Sequence, residues 1–237
     1  ARRRSRRTAG AVAAGLSMAH SRAKPASAVP FLALLLGCSK GTAVLPIIDA
    51  HIHTAFTGEK ERSSGLPITQ EEYLREMRQA GVVAAVAHTK KNGEGYVDLR
   101  AHHIVHCAGV EAKVDVVRVE AGLRSGQYRC IKIYLGYVHQ YASDANYLPA
   151  YALAEKYDVP VVFHTGDTYS ADAKLKYSDP LTLDEVAVEH RKVRFVIAHC
   201  GNPWIESAAE VAYKNPNVFL EGSALLIGEL GKTPDRK

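Results

Sequence analysis

The chain has 237 residues, 47% of them hydrophobic, with 30 Lys and Arg against 25 Asp and Glu. That length suits one α/β barrel or two small domains, and no apolar run reaches the roughly 20 residues of a membrane-spanning helix, which excludes a bundle of spans. Eight of the basic residues precede the first acidic one, Asp49, so residues 49–237 carry 22 basic and 25 acidic side chains. A nucleic-acid groove needs Lys and Arg concentrated on the folded body, so the basic balance gives no support for a nucleic-acid partner.

Residues 1–45 read as a signal or targeting segment. An Arg-rich, acid-free start leads into AVPFLALLLGC at 28–38, which has the length of a secretory h-region. Its ending, Leu35-Leu36-Gly37-Cys38, resembles the lipobox of bacterial lipoproteins, with Cys38 as the lipid-bearing residue, and Met18 gives a compact signal start. The expectation is an exported, lipid-anchored envelope protein that touches the membrane only through Cys38. A cytoplasmic location, an organellar transit peptide and a twin-arginine signal are the alternatives. The remaining cysteines, Cys107, Cys130 and Cys200, lie in or beside apolar strand-like runs and read as buried free thiols. Neither a disulfide framework nor a Cys/His zinc-finger spacing is legible.

From Pro46 onward, β-rich apolar runs at 47–50, 82–87, 103–108, 130–135, 159–163, 194–198 and 218–221 predict seven strands. Helix-like segments at 70–80, 145–156, 182–190 and 204–214 separate them, the first opened by a Thr69-x-x-Glu72 capping box. Strands apolar on both faces and spaced by helices imply a parallel sheet, either a barrel or a doubly wound sheet. No GxGxxG follows the first strand and no GxxxxGK[ST] occurs, which removes the main support for a nucleotide-binding sheet.

Histidines cluster at the strand ends. In PIIDAHIHTAF, His51 and His53 point the same way because side chains alternate along a strand, so the pair can grip one metal ion. His164 ends the fifth strand in VPVVFHTGD and His199 ends the sixth in FVIAHCGNPW. Functional groups of a TIM barrel gather at the C-terminal strand ends, so four imidazoles can converge there on a Zn²⁺-like divalent ion.

The blocks PIIDAHIH, CIKIYLGY, YLPAYALAEKYDVPVVFHTGD and RFVIAHCGNPW, in this order, resemble the amidohydrolase superfamily, specifically its amidohydrolase-related (amidohydrolase 2) branch. The resemblance spans nearly all of residues 46–222. It implies a metal-dependent (β/α)₈ barrel acting on a small molecule, with His51, His53 and His164 as metal ligands and His199 as a ligand or as the group that polarises substrate and water. It further implies that Lys132, in CIKIY, is carboxylated and bridges two metals; the other reading is a lysine reaching along the barrel mouth to a carboxylate. The branch contains hydrolases of amide, ester and related C–N or C–O bonds, and also decarboxylases. A non-catalytic lipoprotein scaffold is a third reading.

The family pattern also has an aspartate on an eighth strand, a ligand that takes a proton from water. No such strand is legible before Lys237, so the barrel of 46–237 is expected to be truncated before it, as in a fragment. Secondary candidates are Asp49 as an acceptor that orients a ligand, His88 and Tyr134, Tyr137 and His139 as pocket residues, and Asp167 as a loop carboxylate. His102, His103 and His106 form a dense cluster without a partner carboxylate.

Overall fold

The computed structural model describes residues 45–60, 65–227 and 235–236; the targeting run and Cys38 lie outside them. The described chain runs β1 Ile47–Ile52, α1 Gln70–Ala80, β2 Val82–His88, β3 Ile104–Val110, α2 Val116–Ser125, β4 Tyr128–Ile133, α3 Leu148–Tyr157, β5 Val161–Phe163, α4 Leu183–Glu189, β6 Phe195–Ile197, α5 Ile205–Lys214 and β7 Val218–Leu220. All seven strands pair in parallel and in sequential order, β1 to β7, as a curled half-barrel. This order decides between the two expected architectures. A barrel places each strand beside the last, whereas a doubly wound sheet reverses its order at a switch point. Among the described residues no eighth parallel strand follows; Leu226–Ile227 (β8) and Asp235–Arg236 (β9) instead pair antiparallel in a separate small sheet.

Alternation along the strands sorts the apolar residues into two layers. Ile131, Ile133, Phe163, Phe195 and Ile197 pack outward against α2, α3, α4 and α5 through residues such as Val119, Tyr151, Val186 and Val211. The opposite parity contributes Cys107, Cys130, Val162 and Ala198 to a smaller inner cluster. Lys132, two residues beyond Cys130, shares that inner face.

α1 begins as the capping signal predicts, with the Thr69 hydroxyl accepting the Glu72 N–H at 3.2 Å. The Glu72 carboxylate pairs with Arg75, so the ion pair takes the carboxylate that a full capping box would turn back to Thr69. α2 was absent from the expected helices. Its sequence, VVRVEAGLRS, is rich in β-branched residues and holds a glycine, both of which argue against a helix. The Asp115 side chain caps it by accepting the Arg118 N–H at 3.1 Å. Gly122 is required there, because a Cβ would lie 2.2 Å from the Tyr128 ring.

The reading of all the inner cysteines as free thiols is corrected. Cys107 and Cys130 are disulfide-bonded, with Cα atoms 4.2 Å apart, and Cys200 is free. The cause is register: β3 and β4 place Cys107 directly opposite Cys130, a pairing that single-strand patterns do not carry.

Candidate metal centre

Each predicted donor is delivered by a strand end. On β1, Ile52 packs outward with Met77 and Leu99, while His51 and His53 face a cavity of about 710 Å³. Lys132, His164 and His199 line the same cavity, with Tyr134, Tyr137 and Asp167 around them. His164 directly follows β5. His199 lies two residues beyond β6, in a short turn where it and Cys200 have φ of 59° and 46°, a left-handed conformation uncommon for residues other than glycine. Gly166 (φ 77°) allows the HTGD loop to lie on the Asn202 backbone, since a Cβ there would meet the Asn202 carbonyl oxygen at 2.1 Å. The Asp167 N–H then donates to that carbonyl at 2.8 Å. Together these turns bring His164 Nδ1 and His199 Nε2 to 3.2 Å.

Hydrogen-bond partners assign the ring protons. His53 Nδ1–H donates to the His88 carbonyl at 3.1 Å, and His164 Nε2–H donates to the Asp167 carbonyl at 2.9 Å. Carbonyls only accept, so the opposite nitrogens, His53 Nε2 and His164 Nδ1, carry lone pairs. His51 Nδ1 lies 2.9 Å from Glu221 Oε2, which leaves its Nε2 as a lone pair. His199 Nδ1 lies 2.8 Å from the Ser223 hydroxyl and 3.2 Å from the Ser223 carbonyl, and donation there frees Nε2. Two lone pairs then face each other between His164 and His199. Either a cation beside the two nitrogens or a His199 Nε2–H donated to His164 Nδ1 relieves that contact, and with His199 held as the Nδ1–H tautomer the donor set fits a divalent metal.

The electrostatics agree with neutral imidazoles. Burial lowers His51 to about 4, outweighing the upward pull of the Glu221 hydrogen bond, and burial with the Lys132 charge lowers His164 to about 2. His199 and His53 shift downward for the same two causes. The His53 side chain lines the cavity and is solvent-exposed. Burial alone would raise Glu221, yet hydrogen bonds from His51 and Ser223 bring it to about 2. Lys132 is fully buried, its amine has no hydrogen-bond partner among the described residues, and burial lowers it to about 7.

The secondary candidates divide. Tyr134 and Tyr137 line the cavity, as does Asp167, whose backbone carbonyl receives His164. His139 lies outside the lining, donating to the Asp172 carbonyl at 2.8 Å and stacking on Tyr177. His88 is buried behind His51, ring centroids 4.1 Å apart, and serves His53 through its carbonyl. Asp49 accepts the backbone N–H of His51 at 3.1 Å and so holds the strand and not the ring. His106 bonds the Thr54 hydroxyl at 3.1 Å, whereas His102 and His103 are exposed, so this cluster forms no second centre.

The residue missed in the sequence is Glu221. It immediately follows β7 and, with His51 and His199, has ligand-type atoms all within 4.8 Å of one another. The strand-end rule used for the histidines would have found it, because NVFLEG puts a carboxylate at the end of an apolar run.

Comparison with known proteins decides the family. The amidohydrolase family model matches residues 48–229. The chain belongs to the amidohydrolase family. Among solved structures, the chain superposes on an uncharacterized TIM-barrel protein from Bordetella bronchiseptica with a TM-score of 0.59 at 19% identity, covering 75% of each chain. A probable 2-pyrone-4,6-dicarboxylic acid hydrolase from Acinetobacter baumannii, solved with citric acid bound, gives 0.55 at 12% identity, over 76% of this chain and 71% of that chain. Both likenesses establish the barrel fold. Comparison with curated proteins returns no match.

Proposed function

We propose that this protein is a metal-dependent hydrolase that cleaves an amide, ester or related C–N or C–O bond of a small molecule. The observation that carries the reading is the convergence of four imidazoles whose partners leave lone pairs facing one cavity, with two of them only 3.2 Å apart. His51, His53, His164 and His199 would hold the ion, and imidazole donors favour Zn²⁺. A bound metal of this kind polarises a carbonyl and makes water acidic enough to supply hydroxide near neutral pH.

The protein's own groups supply the remainder. A cavity of about 710 Å³ has the size of a small-molecule site. The Tyr134 hydroxyl is committed to the Thr89 carbonyl at 2.8 Å, and the Tyr137 hydroxyl accepts the Tyr169 N–H at 3.2 Å. Those bonds hold two rings as fixed walls against which a substrate is oriented. The unpartnered amine of Lys132 favours the carboxylated form over an ion pair with a protein carboxylate, because a carbamate would give this buried group both a charge and a ligand role. The Cys107–Cys130 disulfide supports folding in an oxidising compartment, in keeping with the export signal expected at Cys38.

Elemental analysis of the purified protein tests the reading. One or two zinc-type ions per chain are expected, falling in His51→Ala and His164→Ala while circular dichroism stays native. Wild-type protein that remains metal-free after incubation with Zn²⁺ overturns it.

A further inference from the structure

Beyond β7, Ser223 lines the cavity and Glu221 is buried beside it. The Glu221 carboxylate, 8% exposed, collects three donors: the His51 ring at 2.9 Å, the Ser223 hydroxyl at 2.9 Å and the Ser223 backbone N–H. Ser223 in turn meets His199 Nδ1 with both its hydroxyl and its carbonyl. One carboxylate is therefore wired to two imidazoles, delivered by β1 and by the turn after β6, to one directly and to the other through a hydroxyl.

We propose that Glu221 and Ser223 are a positioning pair that fixes which ring nitrogen of His51 and of His199 faces the cavity. This rests on the metal-centre reading above. Ser223 has a single hydroxyl proton. Directed at Glu221, it leaves the serine oxygen free to accept from His199 Nδ1–H, and the His199 Nε2 lone pair faces the cavity. Directed at His199 Nδ1, it leaves two acceptors, Ser223 Oγ and Glu221 Oε2, facing each other at 2.9 Å and a second opposed pair between His199 Nδ1 and the Ser223 carbonyl at 3.2 Å. It also moves the His199 proton to Nε2, where it bonds His164 Nδ1 and occupies both nitrogens. The negative charge of Glu221 selects the first arrangement, since charge-assisted hydrogen bonds to a carboxylate exceed neutral ones. Carboxylates that receive the far N–H of a ligating imidazole fix its tautomer and raise its basicity. Glu221 plays that part for His51 directly and for His199 by relay.

The test uses the metal-free full chain titrated with Co²⁺ and followed by visible absorption, together with nitrogen NMR of the histidine rings. Glu221→Ala is expected to bind Co²⁺ about 10–100-fold more weakly with the band shape of the wild type, because the ligands are unchanged. Glu221→Gln, which keeps the side-chain shape, is expected to weaken binding in the same direction and serves if the alanine variant does not fold. Ser223→Ala is expected to lose less, since the Ser223 carbonyl still accepts from His199. In the metal-free protein both His51 and His199 are expected as the Nδ1–H tautomer, and Glu221→Ala shifts His199 to Nε2–H. Co²⁺ affinity within twofold of wild type in Glu221→Ala overturns the pairing, as do unchanged tautomers. A changed band shape also overturns it, by making Glu221 itself a ligand. Wild-type protein that takes up no Co²⁺ sinks the metal-centre reading instead, and the tautomers then decide the pairing by themselves.

Discussion

A lysine amine enclosed without a hydrogen-bond partner loses its hydration uncompensated, and among the described residues Lys132 is in that position. Nζ lies 5.6 Å from the centroid of the Tyr134 ring. The amine also lowers the pKa of the histidines around it, and its own burial without a partner works against the fold in the metal-free state. Lys132→Met keeps the length of the side chain and removes the polar group. The metal-free variant is expected to be more stable than wild type by about 1–3 kcal/mol, read by urea unfolding in EDTA, while its metal stoichiometry drops if a Lys132 carbamate bridges two ions. A less stable variant would mean that the amine has a partner in solution. His51, His53, His164 and His199 were legible because strand parity and strand ends follow from sequence alone. The pairing of Glu221 with His51 was not, although Glu221 itself stands at a strand end, because the two are 170 residues apart and only the folded sheet brings them together.

At the scale of elements, the helices with polar caps and clear amphipathic spacing were legible and α2 was not. Its stability comes from packing Val119 and Leu123 into the outer core and from the tight seat of Gly122 on Tyr128, tertiary effects that override a poor local propensity. The same limit hid the disulfide, since two cysteines 23 residues apart become neighbours only once β3 and β4 have found their register. The bond joins adjacent strands on the inner face below Lys132 and closes a loop that includes α2. Cross-linking a loop of that size removes roughly 3 kcal/mol of unfolded-chain entropy. Cys107→Ala with Cys130→Ala is therefore expected to lose about 2–4 kcal/mol in denaturant unfolding. Dithiothreitol should lower the melting temperature of the wild type and leave that of the double variant unchanged. Equal sensitivity of the two proteins to the reductant would mean that the cross-link does not form.

The whole molecule was legible as alternating strands and helices, but the sequence left barrel and doubly wound sheet both open until strand order settled it. That order has an electrostatic consequence. Because β1, β5 and β6 deliver histidines to one cavity, the folded state collects imidazoles that are kept neutral. His51 is lowered to about 4 and His164 to about 2, and the buried His106, on the outer side of the sheet, to about 4, each chiefly by burial; buried His88 shifts the same way. In the unfolded chain these rings titrate near 6.5. Between 6.5 and about 4 the unfolded state thus binds more protons than the folded one, and stability rises with pH across that window. Glu221, lowered to about 2, extends the loss below its ordinary range. Lys132, lowered to about 7, acts with the same sign from 7 upward, because the unfolded amine holds its proton up to about 10.4. Asp49, raised by burial, opposes the trend in the carboxylate range, and Tyr134, also raised by burial, opposes it above about 10. Metal-free protein is expected to be most stable on the alkaline side of neutrality and to lose stability steeply as pH falls from 6.5, each fully buried imidazole contributing up to about 1.4 kcal/mol per pH unit. Urea midpoints at pH 8, 7, 6 and 5 in EDTA measure this directly. A midpoint that rises on acidification would show that His51 is an imidazolium paired with Glu221, and the lone-pair geometry of the centre would fail with it.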